Sequence, residues 1–302
     1  GVGRDAGDLR AVGGAAGRHG IGAPSGCVRS AMLTDAVHAL TGWGPAWCLD
    51  LCAYYRVRPS EALRLGTRAN GRRPSLPGSK TCQPVSGKTW EELWAAHPRD
   101  TEEDRFAFWR EVGSWCAFRQ AVRHRRTSFA FILRRLGMGQ RFLEYGAGIA
   151  PASWWLLRHS PIPLQLTIAD VPSEHLTFGA WRLWQRLDEE VDLCGWTLRT
   201  LALEPRRLPL VDTYHAIAVL EVLEHLSAPV ETIRHLGEHL EVGGWLFEDF
   251  TRHDDAHAAD LPHAQKERPQ VYAYLVEAFH FVDGRHWDAP EGGGIRIWRR
   301  RG

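Results

Sequence analysis

Lysine is nearly missing from this chain. Among its 302 residues only Lys80, Lys88 and Lys266 are lysine, and Asn70 is the only asparagine. Arginine carries almost all the positive charge, a bias expected of GC-rich coding and read as a bacterial origin. An excess of either charge is missing too: the net charge is +1 and the isoelectric point about 7.9. Such a balance provides no bulk electrostatic capture of nucleic acid or of a membrane surface. No apolar run reaches the length of a membrane span, and the N-terminal stretch lacks the continuous apolar core of a secretory signal. A soluble, cytoplasmic protein is the expectation. Paired cysteines are also lacking. Cys27, Cys48, Cys52, Cys82, Cys116 and Cys194 are scattered with no CxxC spacing, which argues against a zinc or disulfide framework. Buried reduced thiols are expected instead. No internal repeat is found.

What is present suits one large α/β domain with an accessory piece. Residues 1–29 are rich in Gly, Ala and Arg without periodicity and are expected to be disordered. Residues 30–135 read as a helical N-terminal extension. Met32, Ala36 and Leu40 share one helical face, and Trp47, Leu51 and Tyr55 another. Pro59-Ser60-Glu61 starts a short third helix, and 67–88 reads as a linker. Thr101-Glu-Glu-Asp104 has the form of a capping box. Phe108, Val112, Trp115, Phe118 and Val122 then keep helical spacing. Arg119, Arg123, Arg125 and Arg126 form a basic cluster, read as a solvated helix face rather than an anion site. Six of the 14 tryptophans precede residue 136. They could line an apolar pocket or form the extension's own core.

The stretch around which the rest is organised is Gln140-Arg-Phe-Leu-Glu144-Tyr-Gly146-Ala-Gly148-Ile-Ala150-Pro151. It reads as a buried strand, a tight glycine turn and a helix opened by Pro151. A dinucleotide fingerprint would place a glycine where Pro151 stands. The segment instead resembles motif I of class I S-adenosylmethionine-dependent methyltransferases, an acidic residue followed by Gly-x-Gly-x-Gly. Glu144, Gly146 and Gly148 match, and Ala150 replaces the third glycine. Further on, Leu164 to Asp170 alternates like a strand ending in a carboxylate, which can hold a ribose diol; Val171 would flank the adenine. Leu203-Glu204-Pro-Arg-Arg-Leu208-Pro209 through Ile217 is similar to the family's adenine-contacting stretch, with Glu204 in place of aspartate. Ile217-Ala-Val-Leu-Glu221-Val-Leu-Glu224-His225-Leu226, followed by Gly243-Gly244, resembles the family's fourth strand, its EVLEHL turn and the turn into the fifth strand. Val242 replaces the usual proline.

The resemblance covers roughly residues 139–300 and implies, for a methyltransferase domain at 136–302, an α/β fold: a doubly wound, Rossmann-like, seven-stranded sheet, with residues 30–135 as a substrate cover. It implies S-adenosyl-L-methionine as cofactor, held by Glu144, Gly146, Gly148, Asp170, Val171, Glu204 and Glu221. His225, His253 and His257 are the candidate catalytic bases. Spacings of three and four would set Glu221, Glu224 and His225 on one helical face. The same ExxEH pattern supplies magnesium ligands in RNA ribose methyltransferases, but the metal-free reading is preferred, so no metal is expected. The expected activity is methyl transfer to a small molecule in bacterial specialised metabolism, with no nucleic-acid or membrane partner. The alternatives are an RNA ribose methyltransferase with a metal site and a catalytically inactive cofactor-binding module.

Overall fold

The computed structural model describes residues 45–60, 62, 96–98, 100–124, 127–189, 194–250, 260–288 and 294–302. All belong to one compact unit, Trp43–Gly302. The expectations for residues 1–29, for the helix through Met32, Ala36 and Leu40, for the linker at 67–88 and for His253 and His257 lie outside the described residues. Of the thiols described, Cys52 is half-buried but Cys194 is exposed. The expectation of uniformly buried cysteines therefore fails at Cys194, which sits in a turn ahead of a strand rather than in the core.

Among the described residues, the helices ahead of the sheet include α1 (Pro45–Tyr55), α2 (Glu102–His124) and the short α3 (Ala130–Leu133). The capping box at the start of α2 forms as the sequence suggests. The Asp104 N–H donates to Thr101 Oγ1 at 3.1 Å, and the Thr101 N–H donates back to Asp104 Oδ2 at 3.0 Å, which satisfies donors that a helix start leaves open.

The remaining elements mostly alternate strand and helix. They are β1 (Arg141–Tyr145), α4 (Pro151–His159), β2 (Gln165–Asp170), α5 (Glu174–Glu189), β3 (Thr197–Ala202), β4 (Tyr214–Val219), α6 (Pro229–Glu238), β5 (Leu240–Glu248), α7 (Pro262–Ala278), β6 (Phe279–Gly284) and β7 (Arg296–Arg300). The seven strands form one sheet in the order β3-β2-β1-β4-β5-β7-β6. The first five are parallel neighbours, and β7 runs antiparallel to both β5 and β6. This is the doubly wound, Rossmann-like sheet expected.

Alternating side chains feed two cores, as a strand's period of two requires. Leu143, Tyr145, Ile217 and Val219 face one cluster with α6 and α7; Phe142, Ala216 and Ala218 face the other with α4 and α5. Phe106, Phe108 and Val112 of α2 belong to the first cluster. Helix α2 is thus part of the core of the sheet domain. Helix α1 packs Tyr54 and Tyr55 against Phe178 of α5, with ring centroids 5.2 and 5.8 Å away.

A buried polar network ties β5 to β7. Arg296 donates to both oxygens of Glu248 at 2.7 and 3.2 Å, and Trp298 Nε1 and Tyr272 Oη donate to the same carboxylate at 3.0 and 3.1 Å. Glu248 and Arg296 are both fully buried, and a buried charge is tolerated only with such pairing.

Candidate functional site

In an open parallel sheet, ligands bind outside the carboxyl ends of the strands, where the strand order reverses. That point lies between β1 and β4. A cavity of about 1460 Å³ opens there, lined by residues just past the ends of β1 (Gly146), β2 (Val171), β4 (Glu221) and β5 (Asp249). Helix α2 covers it with Phe106, Trp109, Gln120 and Arg123.

The glycine turn shapes the floor. Gly146 has φ +68° and Gly148 φ +53°, a region where glycine avoids the clash that a side chain meets. A Cβ at Gly146 would stand 2.2 Å from Val222 Cγ2, and one at Gly148 would stand 2.4 Å from Gln120 Oε1. Ala150, in place of the third glycine, also takes a left-handed conformation at φ +54° just before Pro151. Gly179 in α5 lets that helix approach the turn: a Cβ there would lie 2.8 Å from the Ile149 carbonyl carbon.

Glu144 caps α4. Its Oε1 accepts the Ala152 N–H at 2.9 Å and its Oε2 the Ser153 N–H at 2.7 Å. Burial pushes its carboxyl up to about 7, against these two donors, which favour the charged form. Glu144 therefore acts on the cavity by holding the turn and the helix start together. Asp170 closes the other side. Its Oδ1 accepts the Val171 N–H at 2.6 Å and its Oδ2 the Gly148 N–H at 2.5 Å. Each carboxylate oxygen has a second lone pair, and Asp170 lines the cavity. Glu204 lines it as well and pairs with Arg207 at 2.6 Å on the exposed rim.

The EVLEH segment corrects one expectation. It is not an α-helix presenting Glu221, Glu224 and His225 on one face. Only Leu223–His225 form a 3-10 turn, and Glu221 precedes it with φ +56°. Asp249 Oδ1 accepts the Glu221 N–H at 2.5 Å, which holds that backbone in place. Arg123 of α2, read from sequence as a solvated residue, pairs with the Glu221 carboxylate and lines the cavity. His225 sits against Trp109, ring centroids 5.8 Å apart. Glu224 is buried, and among the described residues its Oε2 has no hydrogen-bond partner.

The structure brings Glu144, Gly146, Asp170, Val171, Glu204, Glu221 and His225 to one cavity, with Gly148 in the adjoining turn. Sequence reasoning missed Gln120, Asp249 and His175. Gln120 Oε1 accepts the Ile149 N–H at 3.0 Å. His175 is buried, with Nε2 3.7 Å from Asp170 Oδ1. Asp249 could have been found from its place directly after a parallel strand. Gln120 and His175 carried no signal, because only packing of α2 and α5 delivers them.

No protein-family model and no curated protein matches the chain. Solved structures do. The crystal structure of the (4+2)-cyclase SpnF shares 17% identity over 58% of this chain and 83% of its own, with a TM-score of 0.42. The N-methyltransferase NodS from Bradyrhizobium japonicum, in complex with S-adenosyl-L-homocysteine, shares 21% over 59% of this chain and 85% of its own, TM-score 0.39. The small RNA methyltransferase HEN1 shares 16% over 57% of this chain but 25% of its own, TM-score 0.44. One fold hosts many chemistries, so the function must be argued from the site.

Proposed function

We propose that this chain is an S-adenosylmethionine-dependent methyltransferase acting on a small molecule. The observation that carries the reading is Asp170 at the end of β2, bonded to the glycine turn and facing the cavity at the strand-order reversal. The motif I resemblance and the EVLEH segment meet at that same cavity.

The residues fit the cofactor. Gly146 and Gly148 leave the backbone bare for close approach. The second lone pairs of Asp170 can accept two ribose hydroxyls, Val171 offers an apolar flank for the adenine, and Glu204 stands at the rim for its amino group. S-adenosylmethionine brings an electrophilic methyl on a sulfonium. What the protein adds is alignment and exclusion of water. Helix α2 provides the exclusion: Phe106 and Trp109 line the cavity from above. His225, half-buried beside Trp109, is the described candidate for taking a proton from the acceptor.

One feature supports a small molecule over RNA: the net charge is only +1, and RNA binding leans on phosphate neutralisation. Calorimetry with S-adenosylhomocysteine tests the reading: one-site binding is expected, and binding of NAD in its place would overturn it.

A further inference from the structure

Glu221, Glu224, Asp249 and Asp260 all line the cavity. Glu221 and Asp249 follow β4 and β5, Glu224 lies in the 3-10 turn, and Asp260 precedes α7. The backbone joins them: the Leu261 N–H donates to the Glu224 carbonyl at 2.9 Å, and the Glu221 N–H to Asp249 at 2.5 Å. Arg123 answers Glu221. Glu224 is 5% exposed, and its Oε2 has no hydrogen-bond partner among the described residues. Burial, then repulsion from Asp249, Asp260 and Glu221, pushes its carboxyl well above the usual range. Burial and the charges of Glu221 and Glu248 likewise push Asp249 up to about 7. An arriving cation would let the wall ionise.

We propose that this acidic wall is the subsite for the ammonium group of an amine substrate. The inference rests on the methyltransferase reading and names its substrate class. An ammonium carries several N–H donors, so it can bridge carboxylates held apart on different loops. A metal ion needs them converging, and among the described residues no three His, Cys, Asp or Glu side chains do so. Trp109, which also lines the cavity and packs against His225 next to Glu224, adds an aromatic ring of the kind that ammonium groups favour.

The test uses the full chain saturated with S-adenosylhomocysteine, in titrations with phenethylamine and with the anionic 3-phenylpropanoate of similar shape. The amine is expected to bind at least tenfold more tightly. That preference should fall to about twofold or less in Glu224→Gln and in Asp260→Asn, both with unchanged S-adenosylhomocysteine affinity as the check on folding. Failure of S-adenosylhomocysteine to bind would sink the methyltransferase reading itself. Normal cofactor binding with equal or absent binding of the two probes would overturn only the amine subsite. Stoichiometric magnesium binding that is lost in both variants would also overturn it.

Discussion

The Gly148 N–H donates to Asp170 Oδ2 at 2.5 Å. The bond joins the turn after β1 to the end of β2 across the cavity floor. It fixes the backbone of the glycine turn and aims the carboxylate with one contact. The two motif residues are separated in sequence but act as one unit.

Asp170→Ala should therefore weaken S-adenosylhomocysteine binding. Loss of two hydroxyl contacts at roughly 0.5–1.5 kcal/mol each corresponds to about a 5- to 150-fold rise in Kd. Calorimetry on a variant with native circular dichroism measures it. Unchanged affinity would remove Asp170 from the cofactor site.

Gly146→Ala should destabilise the fold and weaken cofactor binding together. The left-handed backbone alone costs about 1–2 kcal/mol for a residue with a Cβ, and that Cβ would meet Val222 at 2.2 Å. Adding Val222→Ala should relieve the steric part and leave the backbone part. Urea titrations of both variants separate the two; if the double variant is no better than the single, the clash with Val222 is not the cause.

Glu248→Gln should cost about 3–5 kcal/mol, because it leaves the Arg296 guanidinium charged and unpaired in the core. Arg296→Met should cost a similar amount. A double-mutant cycle in urea should show strong coupling, and additive losses would show that the pair acts independently.

Asp249 predicts a pH effect. Burial holds its carboxyl near 7 in the folded protein, against an ordinary value of 3.8. The folded state therefore binds this proton more tightly than the unfolded chain. Its contribution to stability is present below pH 3.8 and is lost as pH rises through about 7. Asp249→Asn should melt higher than the parent at pH 8, with the gap closing towards pH 5. A gap that does not change with pH would show that Asp249 is not the group responsible.

Chelation should leave methyl transfer intact. The ExxEH residues do not share a helical face, since Glu221 lies ahead of the 3-10 turn with φ +56°. Activity lost in EDTA and restored by magnesium would overturn this expectation and favour the RNA ribose reading.

Local chemistry made much of the site readable in advance. Gly146 and Gly148 mark a turn because few other residues tolerate that backbone. Thr101 and Asp104 mark a helix start because their side chains reach only a few residues. Asp170 marks a strand end because a parallel strand points its last residue at the ligand crevice. The tertiary structure decided what depends on distant segments meeting. It turned the ExxEH spacing into a bent loop, because the Glu221 N–H found Asp249 at the end of another strand. It set Arg123, still half exposed on α2, against Glu221, 98 residues away in sequence. It delivered Gln120 to the glycine turn and gathered four carboxylates, two from the loop after β4 and two from the stretch between β5 and α7, onto one wall. Periodicity and motif spacing report the chain's near neighbours; the charge that a buried group feels is set by whatever the fold packs beside it.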